Sequence, residues 1–557
     1  MSASSKKKIR KEQNAEMLTE RQLKEQAEAK SLKRLTVVFS VVMIAIVAAF
    51  LITNLVGGVN RSGVIEKNTV AATIGEHELN TVVMNYYFYS AVTNEYNSAA
   101  NLYGDYAENY LKTKGLDLTK PLDEQLYDEK TGKTWADYFM DEAIEAAKGD
   151  YALYDLAMAD NFELTQESQT SVNNAMMNMQ LSAAFSGLGD VDTYLRNLYG
   201  NGSTEESYEE FLTISSIAAD YYNAKVDSME YDDAAIRAYE ADKFDDYSAY
   251  SFASYYLPYT DFLTGGTKDD KGNMTYTDAE KDAARKAAEA ASLVLTDATT
   301  VEELDKAIAE LEAYKDDEKK PTSTPNEDVM HTNLKEDYAK WLAAKDRKAG
   351  DVKVFPNTTK STDADGKETE VTNGYYVLMF QSRNDNLEKL ANVRHILISF
   401  EGGTKDDKGN VTYSVAEKTA AKEKAEKLLQ QWKDGEATEE SFIALVEKNT
   451  GDSGSAKTGG LYEDIHRNSN YMEGFRDWAV DSTRKAGDTG VVETDYGYHI
   501  MYYVGDDELS YRDFMIKNAM TSEDITEWYE GVLKEVTVVE GDESKINKDL
   551  VYSHSHG

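Results

Sequence analysis

Residues 393–413 read VRHILISFEGGTKDDKGNVTY, and the string GGTKDDKGN at 402–410 within them stands a second time at 265–273. Each copy runs on into a charged, alanine-rich segment, VTYSVAEKTAAKEKA after one and MTYTDAEKDAARKAA after the other. The offset of 137 residues recurs downstream, where Trp341 and the run Arg347-Lys348-Ala349-Gly350-Asp351 match Trp478 and Arg484-Lys485-Ala486-Gly487-Asp488. An offset held over so long a stretch means two related domains in tandem.

Ahead of each insertion lies a short apolar run, 252–257 or 393–398, and the copies close on NGYYVLMF (373–380) and YGYHIMYY (496–503). Their β-branched and aromatic content suits buried strands, while the segments between them suit helices. Each copy is therefore predicted to be an α/β domain, a small antiparallel sheet flanked by helices, within an α+β multidomain chain. The insertion itself lacks the alternating acidic positions and closing Glu of an EF-hand, so a solvated hairpin is expected there rather than a calcium loop.

The second copy resembles the parvulin family of peptidyl-prolyl isomerases, in order, from Val393-Arg394-His395-Ile396-Leu397-Ile398 to residue 503. The likeness takes in the helix AEKTAAKEKAEKLLQQWKDG, Glu440 to Lys448, the loop Asp452-Ser453-Gly454-Ser455-Ala456-Lys457, Gly459-Gly460-Leu461, Phe475, and Thr494-Asp495-Tyr496-Gly497-Tyr498-His499-Ile500. By that resemblance His395 and His499 are paired histidines beneath the substrate amide, Asp452 is the acidic neighbour with Ser453 as the alternative, and Thr494 is a pocket-side hydroxyl. Leu461 and Phe475 are implied to wall a proline pocket, with Tyr471 where the family more often has Met, and Tyr496 in a place where some members have Ser. A lone strand histidine is usually a core residue; two of them inside one ordered motif favour function. No third ligand stands at metal-site spacing and the chain has no Cys, so a zinc site is not expected. Gly454-Ser455-Ala456 lacks the glycines of a hydrolase elbow. The implied reaction, rotation about an Xaa–Pro bond, needs no metal or organic cofactor.

The first copy departs from the family pattern. Ser254 takes the place of His395, Tyr376 that of His499, and no Asp-Ser-Gly-Ser-Ala-Lys loop precedes its Arg-Lys-Ala-Gly-Asp. It is expected to fold without catalysing, its run of Tyr247, Tyr250, Tyr255, Tyr256 and Tyr259 filling a core.

With 557 residues the chain exceeds one core, and its formal charge of -41 repels nucleic acid, so nucleic-acid binding is excluded. The charge is uneven: residues 1–34 carry ten Lys/Arg against five Glu. The uncharged apolar run 35–59, LTVVFSVVMIAIVAAFLITNLVGGV, is long enough to span a bilayer as a helix. Lys33 and Arg34 at its N-terminal edge orient it with the N-terminus in the cytoplasm and the body outside. A retained single-pass cell-membrane anchor is expected rather than a cleaved signal peptide, and the lipid bilayer is thus one partner.

Residues 65–247 read as mostly helical. Val70 to Leu79 resemble the opening strand and turn of PrsA- and SurA-type chaperone domains, and Met176, Met177 and Met179 are expected to pack between helices. The expected plan is a basic tail (1–34), the anchor (35–59), a helical chaperone lobe (65–247), a degenerate parvulin-like domain (248–385), a parvulin domain (386–506), and a C-terminal helix and tail (507–557). The resemblance implies an isomerase and chaperone acting on unfolded or newly secreted polypeptides with Xaa–Pro bonds. A non-catalytic holdase or scaffold is the alternative.

Overall fold

The computed structural model describes residues 63–362, 368–406 and 409–548. The expected basic tail and transmembrane anchor lie outside them, as does the end of the C-terminal tail, 549–557. Among the described residues no helix is long and apolar enough to cross a membrane.

Residues 63–231 pack with 519–548 as one unit, and residues 232–518 as another. In the first, β1 (Val70–Ile74) and β2 (His77–Asn80) form a hairpin whose turn uses Gly75 at φ 59. Asn80 caps the following helix, α1 (Thr81–Tyr103), its side chain accepting the Val83 N–H. Tyr86, Tyr87, Phe88 and Tyr89 are all buried, so α1 is enclosed on several sides rather than amphipathic. Around it pack α2 (Trp135–Ala159), α3 (Gln166–Ser186), α4 (Val191–Tyr199) and α5 (Glu205–Asp227). The methionine cluster divides: Met176 and Met179 are buried, but Met177 is exposed and shares an outward stripe with Leu181 and Phe185 at helical spacing.

The second unit begins with α6 (Asp233–Glu240) and holds two four-stranded antiparallel sheets. The first sheet has the order β4-β3-β6-β5, from β3 (Ala249–Pro258), β4 (Thr324–Met330), β5 (Val352–Thr362) and β6 (Glu368–Asn384). Its helices are α7 (Asp278–Val294), α8 (Val301–Glu310) and α9 (Glu336–Leu342). The second sheet repeats the order as β8-β7-β10-β9, from β7 (Lys389–Ser399), β8 (Leu461–Ile465), β9 (Thr489–Thr494) and β10 (Gly497–Ser510). Its helices are α10 (Val415–Lys433), α11 (Glu439–Asn449) and α12 (Glu473–Ala479).

The duplication extends to hydrogen bonds. Lys348 and Lys485 N–H each donate to the carboxylate of the Asp three residues on, at 2.9 Å, and Arg347 and Arg484 stack over Trp341 and Trp478. Both insertions are two-stranded hairpins tied to the helix that follows, with Gly266 and Gly403 N–H donating to Glu280 and Glu417. The opening strands are offset by 141 residues rather than 137, and the four-residue turn of 3-10 helix Tyr259–Phe262 in the first copy accounts for the difference.

Strand alternation sorts each sheet into two faces. In the second copy Ile396, Ile398 and Ile500 pack with Ala421, Ala425, Phe442 and Val446 on the helical side. Val393 and Met501 face the other way, with Phe475 and Ala479.

The last helix, α13 (Tyr511–Glu535), and β11 (Val538–Glu540) follow, and β11 pairs antiparallel with β1. The packing boundaries fall after Tyr231 and Asn518, against sequence boundaries at 247 and 506. At the first boundary the cause is α6, whose buried Glu240 pairs with the fully buried Arg512 within the unit of the two sheets. At the second it is the pairing of β11 with β1, which returns the C-terminal segment to the helical unit.

Candidate active site

His395 lies mid-strand on β7 and His499 near the start of β10. The register sets Leu397, not His395, opposite His499. The two rings are therefore diagonal neighbours on one face, within reach across the pair of strands. Their Nδ1 atoms are 2.9 Å apart, with ring centroids at 5.0 Å and planes at 27°. Both residues are buried.

Asp452 is delivered by the loop after α11, which adds itself to β7. Gly451 N–H donates to Leu397 O at 2.7 Å, and Thr450 Oγ1 accepts the N–H groups of Leu397 and Asp452. A Cβ at position 451 would come 2.4 Å from Ser399 Oγ and 3.3 Å from Leu397 O, so a larger residue there would make the Ser399 side chain turn away. Asp452 Oδ2 then stands 3.0 Å from His395 Nε2 and accepts from Tyr462 OH at 3.1 Å and from Ser455 Oγ. On the other side Thr494 Oγ1 is 2.8 Å from His499 Nε2 and accepts the Tyr496 N–H.

These contacts have one consistent proton order. The ionised carboxylate only accepts, so His395 donates from Nε2 and accepts at Nδ1. His499 must then donate from Nδ1 and accept the Thr494 hydroxyl proton at Nε2. All four ring nitrogens are committed to neighbours.

The electrostatics agree with neutral rings. Burial pushes His395 below its ordinary range, against the pull of Asp452. Burial, together with the neighbouring His395, lowers His499 to about 3. Burial alone would raise Asp452, but hydrogen bonds from Ser455, His395, Gly454 and Tyr462 outweigh it and hold the carboxyl at about 2.

Beside the pair opens a cavity of about 340 Å³, lined by His395, His499, Leu397, Gly451, Asp452, Ser453, Tyr462, Asn470, Tyr471, Met472, Phe475 and Tyr496. Phe475 sits edge-on to both imidazoles, 5.3 Å from each. Tyr471 packs on Tyr462 and Phe475 at the wall and leaves the space open. The sequence-derived residues His395, His499, Asp452, Ser453, Tyr471, Phe475 and Tyr496 thus meet at one cavity. Thr494 touches it only through His499.

Leu461 does not line the cavity, which corrects the expectation that it forms a wall. It pairs with Arg394, whose side chain reaches Glu439 on α11, whereas Tyr462 pairs with Val393 on the cavity side. Tyr462, Leu397, Gly451, Asn470 and Met472 line the cavity without having been expected there, and Ser455 joins the site through Asp452. The cavity's strand members, Leu397 and Tyr462, follow from alternation once the register of β7 with β8 is known.

In the first copy the register places Ser254 opposite Leu378 and Tyr256 opposite Tyr376, matching His395 opposite Met501 and Leu397 opposite His499. Asn326 donates to Ser254 Oγ, and the Tyr376 ring packs against Tyr256 and Tyr338 at 4.6 and 5.9 Å. Tyr338, at the offset of Phe475, fills this place with Phe355. The tyrosine run is mixed in role, with Tyr250 fully buried and Tyr255 and Tyr256 half-buried.

Among the described residues no group of three or more His, Cys, Asp or Glu side chains is placed to hold a metal ion. With the ring nitrogens occupied, neither histidine is a free nucleophile. The arrangement offers an apolar slot with a buried, polarised floor.

Residues 376–505 match the model of the PPIC-type PPIase domain. Among solved structures, the chain is similar to PrsA from Bacillus anthracis, at 18% identity over 27% of this chain and 59% of that one, with a TM-score of 0.17. PrsA from Bacillus subtilis is similar at 21% identity over 26% and 49%, with a TM-score of 0.18. A SurA-like chaperone structure from Campylobacter jejuni is similar at 18% identity over 26% and 51%, with a TM-score of 0.15. The chain thus spans about half of the solved chains it matches, 49% to 59% in these three. No curated protein matches it.

Proposed function

We infer from the PPIC-type domain at 376–505 that this chain is a parvulin-type peptidyl-prolyl isomerase, and we propose on separate grounds that it works as a membrane-anchored, extracytoplasmic foldase. The observation that carries the isomerase reading is the buried His395–His499 pair, Nδ1 to Nδ1 at 2.9 Å, set directly against a cavity walled by Tyr462, Tyr471 and Phe475. Rotation about an Xaa–Pro bond meets a barrier of about 18–20 kcal/mol because amide resonance is broken, and no bond to carbon forms or breaks. The catalyst need only hold the twisted amide better than either planar isomer. Phe475, Tyr471 and Met472 would grip the pyrrolidine ring by its apolar surface. The imidazoles, with their protons ordered by Asp452 and Thr494, would supply a fixed field to the turning carbonyl without reorganising.

The anchored, extracytoplasmic placement rests on the apolar run 35–59 and the basic residues before it. Substrates are proposed to be unfolded or newly secreted polypeptides. A holdase activity beside the isomerase is favoured by the outward stripe Met177, Leu181 and Phe185, since exposed flexible apolar side chains suit varied partners.

The deciding experiment measures cis–trans relaxation of a short Xaa–Pro peptide, and separately the aggregation of a denatured client that has no slow proline step. Acceleration of the peptide supports the isomerase. Suppressed aggregation with an unchanged peptide rate would leave only the holdase.

A further inference from the structure

One wall of the cavity, Asn470 to Met472, belongs to the loop 466–472 that joins β8 to α12. The start of this loop carries Arg467, and Arg467 is held by residues outside the second sheet. Its Nε lies 3.2 Å from Asp328 Oδ2, on β4 of the first copy, close enough for an ion pair though angled off the hydrogen-bond direction. Its two terminal nitrogens donate to Glu388 and to the side-chain oxygen of Asn386 in the segment between the copies. Its guanidinium also lies over Tyr511, the ring on which His466 stacks at 4.0 Å.

Two of these partners have unusual backbones. Asp328 has φ 45 and Asn386 has φ 58, the latter fully buried with its amide nitrogen donating to Tyr247 O at 2.8 Å. Left-handed non-glycine residues persist where surrounding structure holds them, and here both present oxygens to one arginine. The first copy has no histidine pair, yet it supplies Asp328 to a loop whose other end walls the cavity of the second.

We propose that Arg467 is a positioning residue for the proline pocket, and that the first, non-catalytic copy acts through Asp328 to set the Asn470–Met472 wall. This rests on the reading of that cavity as a proline site. A bidentate-capable guanidinium held by two carboxylates and an amide fixes direction as well as distance. Three residues beyond it, Asn470 begins the wall, so a small rotation at Arg467 moves the surface that meets the ring.

The test compares the full chain with Asp328→Asn, Arg467→Ala, Arg467→Lys and the double variant Asp328→Asn/Arg467→Ala in steady-state isomerisation of an Xaa–Pro peptide, with urea unfolding in parallel. Asn tolerates the left-handed backbone, so Asp328→Asn removes the charge while sparing the strand. A loosened wall weakens ground-state and transition-state binding alike, so KM should rise about fivefold with kcat within about twofold. The double variant should be no worse than the worse single one, because both cut the same link. Arg467→Lys, which keeps charge but not the fork, should fall between. Unchanged KM in Asp328→Asn and Arg467→Ala would overturn the proposal. So would losses that multiply in the double variant, or losses that follow only the unfolded fraction. A wild-type chain that does not accelerate the peptide at all would overturn the isomerase reading and this one with it.

Discussion

Mild acid should loosen the second sheet through His499, whose ring takes up a proton only on opening. The folded protein holds this imidazole at about 3, chiefly through burial and secondarily through His395, whereas the unfolded chain returns it to about 6.5. Because the folded value is depressed, the unfolded state binds the extra proton. The stability is fully present above about pH 6.5 and is lost as pH falls from there toward 3. Between pH 7.5 and 5.0 the unfolded ring gains its proton over about 1.5 units below its own value, which at 1.36 kcal/mol per unit amounts to about 2 kcal/mol. His395, also depressed by burial, acts in the same direction. Native-state hydrogen exchange at the β10 amides of Ile500 and Met501, corrected for intrinsic rates, reads the local opening free energy. His499→Phe keeps a ring against Phe475 and should remove most of the pH dependence. An opening free energy equal at the two pH values, or a slope that survives in His499→Phe, would refute the reasoning.

Other expectations follow from the same geometry. With His499 held at about 3, Asp452 at about 2 and His395 lowered by burial, peptide isomerisation should be flat from pH 7 to 8, and a step in that window would mean a free histidine is titrating. Asp452→Asn should lower kcat more than it raises KM, since it removes the acceptor that orders the His395 protons while leaving the apolar wall intact. Replacing Gly497 with Ala would place a Cβ 2.2 Å from Ile398 O, so the second sheet should lose about 2 kcal/mol or more in urea unfolding. Grafting histidines at Ser254 and Tyr376 should give no activity in a His395→Ala/His499→Ala background, because Tyr338 and Phe355 fill that place; measurable turnover would contradict this.

The histidine pair was legible because the ordered motifs from Val393 to Ile500 resemble those of the parvulin family, and that resemblance implies the pairing. Position 461 was not. Leu461 and Tyr462 are of types that suit either face of a strand, and which of them meets the groove is set by their pairing with Arg394 and Val393, far away along the chain. Met177 escaped for a different reason. A methionine cluster at adjacent positions must divide between helix faces, but its sequence does not say which face is covered.

Composition, the apolar run 35–59, the internal repeat and the ordered motif are properties of residues near one another along the chain, so the sequence by itself determined the tandem α/β plan and most of the site. Which side of β8 walls the cavity, how the C-terminal strand returns to β1, and how Arg467 and Arg512 knit the copies together were decided only by tertiary structure. The physical reason is that these contacts join residues far apart in sequence, whose meeting depends on how buried charges and edge strands find partners.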